Sequence, residues 1–281
     1  MSRKSTLSRI RAGIAAVAIA AFALTGCAPA DTATTEESAI TTITPGKLTI
    51  GTGLPAYEPW VVGDAPESGE GFEAAVAYAI AAELGFAAED VVWVRTTFDE
   101  AIAPGAKNFD FNLQQYTITE ERKANVDFSD PYYTTTQTVI TVAGSAAENA
   151  TSLADLKELL VGAASATTSF TAIEEFITPT AGAQAFNSND DAKAALQSGQ
   201  LDALVVDLPT ALYLTCCDLT DGKILGQIAG AEGGDNFGLV LDKGSALTAA
   251  VNAAIKALRD SGKLAELEKK WLTDTSAPVL K

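Results

Sequence analysis

From Leu48 to Trp271 the chain alternates short apolar runs with amphipathic stretches. "KLTIGTG" (47–53) reads as a strand with a glycine-rich exit. In "GEGFEAAVAYAIAAELGF" (69–86), Phe72, Val76, Ile80 and Leu84 recur every four residues, which predicts a helix that Gly85 stops. "EDVVWVRT" (89–96) predicts a second strand. "FDEAIAPGAKNFDFNLQQ" (98–115) predicts a short helix, a turn at Pro104-Gly105 and a third strand. Such alternation implies a mostly parallel α/β sheet.

After "QTVITVAG" (137–144) the same grammar begins again. Residues 151–177 read as helix, strand, loop and helix, and 188–215 as helix, strand and helix. "DNFGLVLD" (235–242) is a further strand, and two helices close the chain. Leu247, Val251, Ile255 and Leu258 mark the face of the first, Ser261-Gly262 breaks it, and Leu264, Leu267 and Trp271 mark the second. Two α/β units are thus linked by two apolar extended segments, near 137–143 and 235–241. The expected architecture is two lobes joined by two hinge strands. Lobe 1 takes residues 47–138 and 237–274, and lobe 2 takes 142–232.

The first residues stand apart from this pattern. "MSRKSTLSRIR" carries four cations and no acid, and Ala12 to Gly26 is uncharged and apolar. That run is shorter than the roughly 20 residues a spanning helix needs, so residues 1–26 are expected to be an export signal. Leu24-Thr25-Gly26-Cys27 resembles the bacterial lipobox, whose cysteine accepts a diacylglyceryl group. Residues 27–46 are small and polar, a tether between a lipidated Cys27 and the folded body. The expected location is the outer face of the cytoplasmic membrane.

Composition then narrows the chemistry. The formal charge of -17 becomes -21 once the four leader cations are removed. A phosphate backbone needs a positive stripe, so nucleic acid is excluded as a partner, and such a charge favours a soluble monomer. Histidine is absent, which removes the commonest general base and the commonest transition-metal ligand. No metal or cofactor is expected. The remaining thiols, Cys216 and Cys217, are adjacent and can either form a vicinal disulfide or stay reduced.

Arginine is scarce, with six in the chain, and one stands in "QQYTITEERKANVDFSDPYY" (114–133). Arg122 offers a planar fork of donors that matches a carboxylate with two parallel hydrogen bonds. The competing structural reading pairs it with Glu120 or Glu121 on a surface helix, worth ~0–1 kcal/mol. Thr117 and Thr119 lie just upstream, where hydroxyl and backbone donors can serve the same oxygens. A carboxylate also follows the apolar run "ALVV", at Asp207, on the strand edge where ligands of open α/β sheets bind. Asp202 and Asp127 read better as turn or cap residues.

Together with "GTGLPAYEPW", "LQSGQLDALVVD" and "KALRDSGKLAELEKKWL", these stretches resemble the extracellular solute-binding proteins of the polar amino acid ABC-transporter family, over roughly residues 46–272. The resemblance implies a two-lobed periplasmic-binding-protein-like (type II) fold, an amino acid ligand and a membrane permease as partner. It implies that Arg122 holds the ligand's α-carboxylate with the Thr117 hydroxyl, that Gln115 offers a main-chain carbonyl, and that Asp207 accepts the α-ammonium. Thr167 and Thr168, in "AASATTSF" (163–170), supply a helix N-terminus suited to an anion. The family has glycine where Ala166 stands, which puts close backbone approach there in doubt. Tyr57 and Trp60 are candidates to sandwich the ligand side chain, with core packing as the alternative for each. The aspartate common near Gly53-Leu54 in binders of cationic amino acids is missing, and Gln114 offers an amide instead, which suits an uncharged polar side chain.

Two other readings remain at this point. One is another compact zwitterion, such as ectoine, in the same site. The other is a dehydratase on the same fold, with Glu73 or Glu58 as the acid. A sensory module is a weaker third, because no membrane-spanning run follows the second lobe in this sequence.

Overall fold

The computed structural model describes residues 40–229, 234–272 and 276–281. The expected signal (1–26), Cys27 and the tether up to residue 39 lie outside the described residues. In lobe 1, β1 (Leu48–Gly53) is followed by α1 (Phe72–Glu83), β2 (Val91–Thr96), α2 (Phe98–Ile102) and β3 (Phe111–Asn112). α3 (Glu120–Lys123) and β4 (Asp127–Phe128) complete its first passage. Phe72, Val76 and Ile80 are buried on one face of α1, as their spacing requires. Gly71 precedes that helix at φ 102°, where a Cβ would lie 2.4 Å from the Trp60 carbonyl oxygen.

The chain crosses to lobe 2 along β5 (Tyr133–Thr135) and β6 (Gln137–Val142). There it builds β7 (Val161–Ala164), α4 (Thr168–Ala172), β8 (Gln184–Phe186), α5 (Asn189–Gln197), β9 (Ala203–Asp207), α6 (Leu208–Tyr213) and β10 (Gly222–Ile228). It returns through β11 (Asp235–Phe237) to β12 (Val240–Leu241), α7 (Thr248–Asp260) and α8 (Lys263–Trp271). β5 and β11 pair with each other, antiparallel, as a two-stranded ribbon between the sheets. Of the two hinge segments expected from the sequence, 235–241 supplies β11, whereas 137–143 forms β6 of the lobe 2 sheet and β5, just upstream, takes its place in the ribbon.

Lobe 1 holds a sheet ordered β2-β1-β3-β12-β4. Parallel pairing holds at β1 with β2 and β3, and in lobe 2 at β7 with β8 and β9. The exceptions are β12 in lobe 1 and β6 in lobe 2, each antiparallel to its neighbours. Their direction follows from the topology. The parallel strands end at the cleft, so a strand arriving from the other lobe enters from that same edge and runs the opposite way.

Lobe 1 packs Leu48, Ile50 and Phe72 against Val251 and Ile255 of α7 in one core. Lobe 2 has a core on each sheet face, and successive residues alternate between them: Val139 and Val205 on one, Ile140 and Val206 on the other. Each fully buried aliphatic side chain contributes about 1.5–3 kcal/mol of transfer free energy.

Two details lie outside the sequence expectation. Residues 40–46, assigned there to the tether, meet lobe 1: Ile40 packs on its core, and the Ile43 N–H donates to Asp110 Oδ1 at 2.9 Å. At the other end, β13 (Val279–Leu280) pairs parallel with β10, and Leu280 is buried in lobe 2. The last six residues thus return to the lobe that α8 does not pack on.

Candidate functional site

The strand edges of both lobes converge on a cleft cavity of about 130 Å³. Lobe 1 lines it with Tyr57, Phe98, Gln114, Gln115 and Arg122, and lobe 2 with Thr167, Thr168, Ser169, Asn187–Asn189 and Asp207.

Arg122 sits on the one-turn helix α3, whose N-cap is Thr119; the Thr119 hydroxyl accepts the Arg122 N–H at 3.2 Å. That cap turns the side chain inward, and Arg122 is only 7 % exposed. Its Nη1 donates to the Thr117 carbonyl at 2.7 Å, and its Nη2 reaches across the cleft to the Ala166 carbonyl at 2.8 Å. The guanidinium carbon lies 5.2 Å from the centre of the Phe98 ring, a cation–π distance. Glu120 pairs instead with Lys123 at 2.8 Å, so the surface-pair reading of Arg122 fails. Burial lowers the guanidinium's pKa from its ordinary value, against the opposing charges of Asp235 and Asp207.

Asp207 ends β9 and stands at the N-cap of α6 without using its side chain as a cap. Its carboxylate accepts Gln137 Nε2 at 2.8 Å. Burial first, and then the neighbouring charge of Asp235, push this carboxyl up to about 8. Thr117 and Thr168 bring their hydroxyl oxygens within 3.2 Å across the lobes. Thr167 caps α4, accepting the Phe170 N–H at 3.2 Å and donating to the Ala164 carbonyl at 2.6 Å. Its hydroxyl is thus committed locally while the residue still lines the cavity.

Ala166 adopts φ 57° and Gln115 φ 51°, both in the left-handed region that costs an L-residue roughly 1–2 kcal/mol. Gln115 is held there by Glu73, which accepts its N–H at 2.8 Å and also its side-chain amide. Tyr132 donates its hydroxyl to the same carboxylate. Gln114, by contrast, accepts the Tyr116 hydroxyl at 3.0 Å.

Tyr57 is half-buried at the cavity wall, and its hydroxyl meets Ser188 and Asp190 of lobe 2. Trp60 corrects the expectation of a ligand-facing aromatic. It is fully buried in lobe 1, edge-on to Phe72, Tyr133 and Phe237 at 5.7–6.1 Å between ring centres, and is not part of the cavity wall. Asp202 and Asp127 serve the fold, accepting the N–H groups of Leu160 (2.8 Å) and Gly244 (3.0 Å). Neither Glu73 nor Glu58 lines the cavity. Cys216 and Cys217 form a vicinal disulfide beyond α6.

This geometry can hold a small molecule that is anionic at one end and cationic at the other. Comparison with known proteins decides the family: residues 48–274 match the model for bacterial extracellular solute-binding proteins, family 3. The chain belongs to that family.

Among its relatives is the ABC transporter glutamine-binding protein GlnH of Bacillus subtilis, 32% identical over 75% of this chain and 77% of that protein. The L-arginine-binding protein of Pseudomonas aeruginosa is 30% identical over 78% and 85% of the two chains. An ancestral arginine-binding protein solved with glutamine bound is 31% identical, with a TM-score of 0.70 over 82% of this chain and all of that one. This family-3 protein is a non-catalytic solute binder by that assignment.

Sequence reasoning did not find two members of the cleft network. Gln137, at the start of β6 just after the ribbon, bridges Asp207 and Asp235, and Asp235 comes from hinge strand β11. The available signal was a polar residue opening each of two apolar runs, "QTVITV" and "DNFGLVL".

Proposed function

We propose that this family-3 protein is the substrate-binding component of an ABC importer for a polar amino acid, captured by closure of the two lobes. The observation that carries the proposal is a buried guanidinium and a half-buried carboxylate on opposite lobes of one small cleft, Arg122 and Asp207. Arg122 and the Thr117 hydroxyl take the α-carboxylate, and Asp207 takes the α-ammonium. The names of the relatives, glutamine- and arginine-binding proteins among them, support the ligand class.

Gln114, Asn187 and Asn189 line the wall beside Tyr57, with Asp99 exposed at the rim. These amides suit an uncharged polar side chain. Hydrogen bonds to charged groups contribute ~1.5–3 kcal/mol each. Four of them, less the cost of ordering, reach the roughly -8 kcal/mol of a micromolar site. Closure brings both ends of the zwitterion out of water while giving each a fixed partner, and the closed form is the one a permease recognises. A diacylglyceryl group on Cys27, with residues 27–39 as the tether, keeps the protein at the outer face of the membrane, where it acts as a monomer.

A melting-temperature screen of residues 28–281, refolded to remove carried ligand, tests this reading. The panel is the common L-amino acids, cystine and ectoine. A rise with one or a few α-amino acids supports it. A rise with ectoine alone moves the reading to that zwitterion, and no rise at all rejects both.

A further inference from the structure

The hinge places a second carboxylate beside Asp207. β6 pairs with β9 so that Gln137 faces Asp207, and β5 pairs with β11 so that Thr135 faces Asp235. Thr135 and Gln137 are two residues apart on one continuous path, so their cross-strand partners fall side by side on the same face. Gln137 Nε2 donates to both carboxylates, at 2.8 Å to Asp207 Oδ1 and also to Asp235 Oδ2. The amide has no freedom to turn away, because its Oε1 accepts the Ser169 hydroxyl at 2.6 Å and the residue is 3 % exposed. Thr168, a cavity residue, donates its hydroxyl to Asp235 Oδ2 at 2.9 Å.

We propose that Asp235 is a positioning residue of the ammonium subsite, a second carboxylate that makes Asp207 exchange a proton for a cationic nitrogen, so that the cleft selects ligands with a free ammonium over their 2-oxo or N-acylated counterparts. The inference rests on the amino acid reading above. Two carboxylates sharing one amide donor cannot both be charged at low cost, and burial with the Asp235 charge raises Asp207 to about 8. The other charged groups facing Asp207 are Glu73 from α1 and Arg122 from α3, and the hydroxyls of Tyr132 and Tyr133 feel its charge. Arg122 is the one cation among them, and it is the group assigned to the ligand's carboxylate. When an ammonium arrives, it donates to the Asp207 carboxylate, and the proton that Asp207 held passes to solvent. A neutral 2-oxo or acylamide group brings no charge to replace that proton, so the cost of ionising Asp207 beside Asp235 stays unmet.

Titration calorimetry of the mature protein at pH 6.5, in two buffers of different ionisation enthalpy, counts the protons released. The probes are L-glutamine, L-arginine, L-histidine and L-cystine, then the N-acetyl form of the best of them. Wild type is expected to release close to one proton per ligand and to bind the acetylated form at least about a hundredfold more weakly. Asp235→Asn is expected to release measurably fewer protons than wild type, roughly three-quarters of one for a fall of about one pKa unit at Asp207. Asp235→Glu should restore the proton release, which a purely structural role does not require. Wild-type binding with no proton released overturns the inference even if Asp235→Asn fails to fold. Equal proton counts in wild type and Asp235→Asn overturn it as well, and both outcomes leave the amino acid reading intact. No heat from any probe in wild type overturns that reading, and this inference with it.

Discussion

Trp60 Nε1 donates to Thr210 Oγ1 across 2.9 Å, so a ring buried in the lobe 1 core is bonded to α6 of lobe 2. Under the proposed closure this bond forms only when the lobes meet, which gives a core residue a part in it. A neutral hydrogen bond contributes ~0.5–1.5 kcal/mol. Trp60→Phe keeps most of the ring and removes the donor, so ligand dissociation constants should rise roughly 2- to 10-fold. Thr210→Val should do the same, and the double variant should be no worse than either alone. Calorimetric affinities around that cycle check it, and additive losses would show that the two residues act separately.

Replacement of Arg122 by lysine tests the fork rather than the charge. The guanidinium bonds the Thr117 and Ala166 carbonyls at 2.7 and 2.8 Å while lying over Phe98. An ammonium on a flexible stem cannot hold those positions and also grip a carboxylate. With each bond to a charged group contributing about 1.5–3 kcal/mol, Arg122→Lys should weaken amino acid binding by roughly 10- to 150-fold. Equal affinity by calorimetry would mean that only the charge matters.

Arg122 and Asp207 were legible because each is out of place in its own sequence: a scarce arginine after hydroxyls, and an acid directly after "ALVV". The helices were legible for the opposite reason, since Phe72, Val76 and Ile80 obey the period that burial imposes. Glu73 was not placed in the core, because from the sequence it entered only as a candidate acid of a cleft dehydratase. Its partners Gln115 and Tyr132 are 42 and 59 residues away, and only the folded chain brings them together. Asp235 escaped for a similar reason, because its meaning comes from cross-strand register with β5 and no periodicity carries that. Trp60 was ambiguous, since an aromatic in a loop between strand and helix fits a lid or a core equally well. The antiparallel strands β6 and β12 depend on the direction of lobe crossing, which local pattern does not record.

Stability should fall as pH rises through neutrality. Burial sets Glu73 at about 7 and Asp207 at about 8, both above the ordinary carboxylate range. Between about pH 4.5 and 8 the folded protein therefore holds protons that the unfolded chain has lost, and each unit of pH lowers the unfolding free energy. The contribution is complete below the ordinary carboxylate values and gone once pH passes the folded ones. Melting temperatures from pH 5 to 8.5 should decline, and Glu73→Gln should flatten the part below pH 7. A profile that rises over this range would contradict the assignment.

Glu73→Ala should destabilise more than Glu73→Gln does. It strands the Gln115 N–H and side-chain amide and the Tyr132 hydroxyl without an acceptor in the core. Unsatisfied buried donors cost about 1–3 kcal/mol each, so a loss of at least ~2 kcal/mol is expected by urea unfolding. A loss below about 0.5 kcal/mol would show that Glu73 does not support the Gln115 turn.

Ala166→Gly should stabilise the protein without harming the site. Relief of the left-handed strain at φ 57° is worth roughly 1–2 kcal/mol, offset by about 0.4–1 kcal/mol of added unfolded-state entropy. A net gain of up to ~1 kcal/mol is expected in urea unfolding, with the carbonyl still in place for Arg122. Destabilisation would mean that the Ala166 methyl makes a contact worth more than its strain.

The central claim is that one ligand spans the cleft from Arg122 to Asp207, and affinity at both ends tests it most directly. Dissociation constants for the strongest amino acid in the screen should be measured by calorimetry in wild type, Arg122→Ala and Asp207→Asn. The account predicts saturable one-to-one binding in wild type and at least about a tenfold loss in each variant, with both variants folded by circular dichroism. Unchanged affinity in either variant would contradict it, because a zwitterion held at both ends cannot lose one partner without cost.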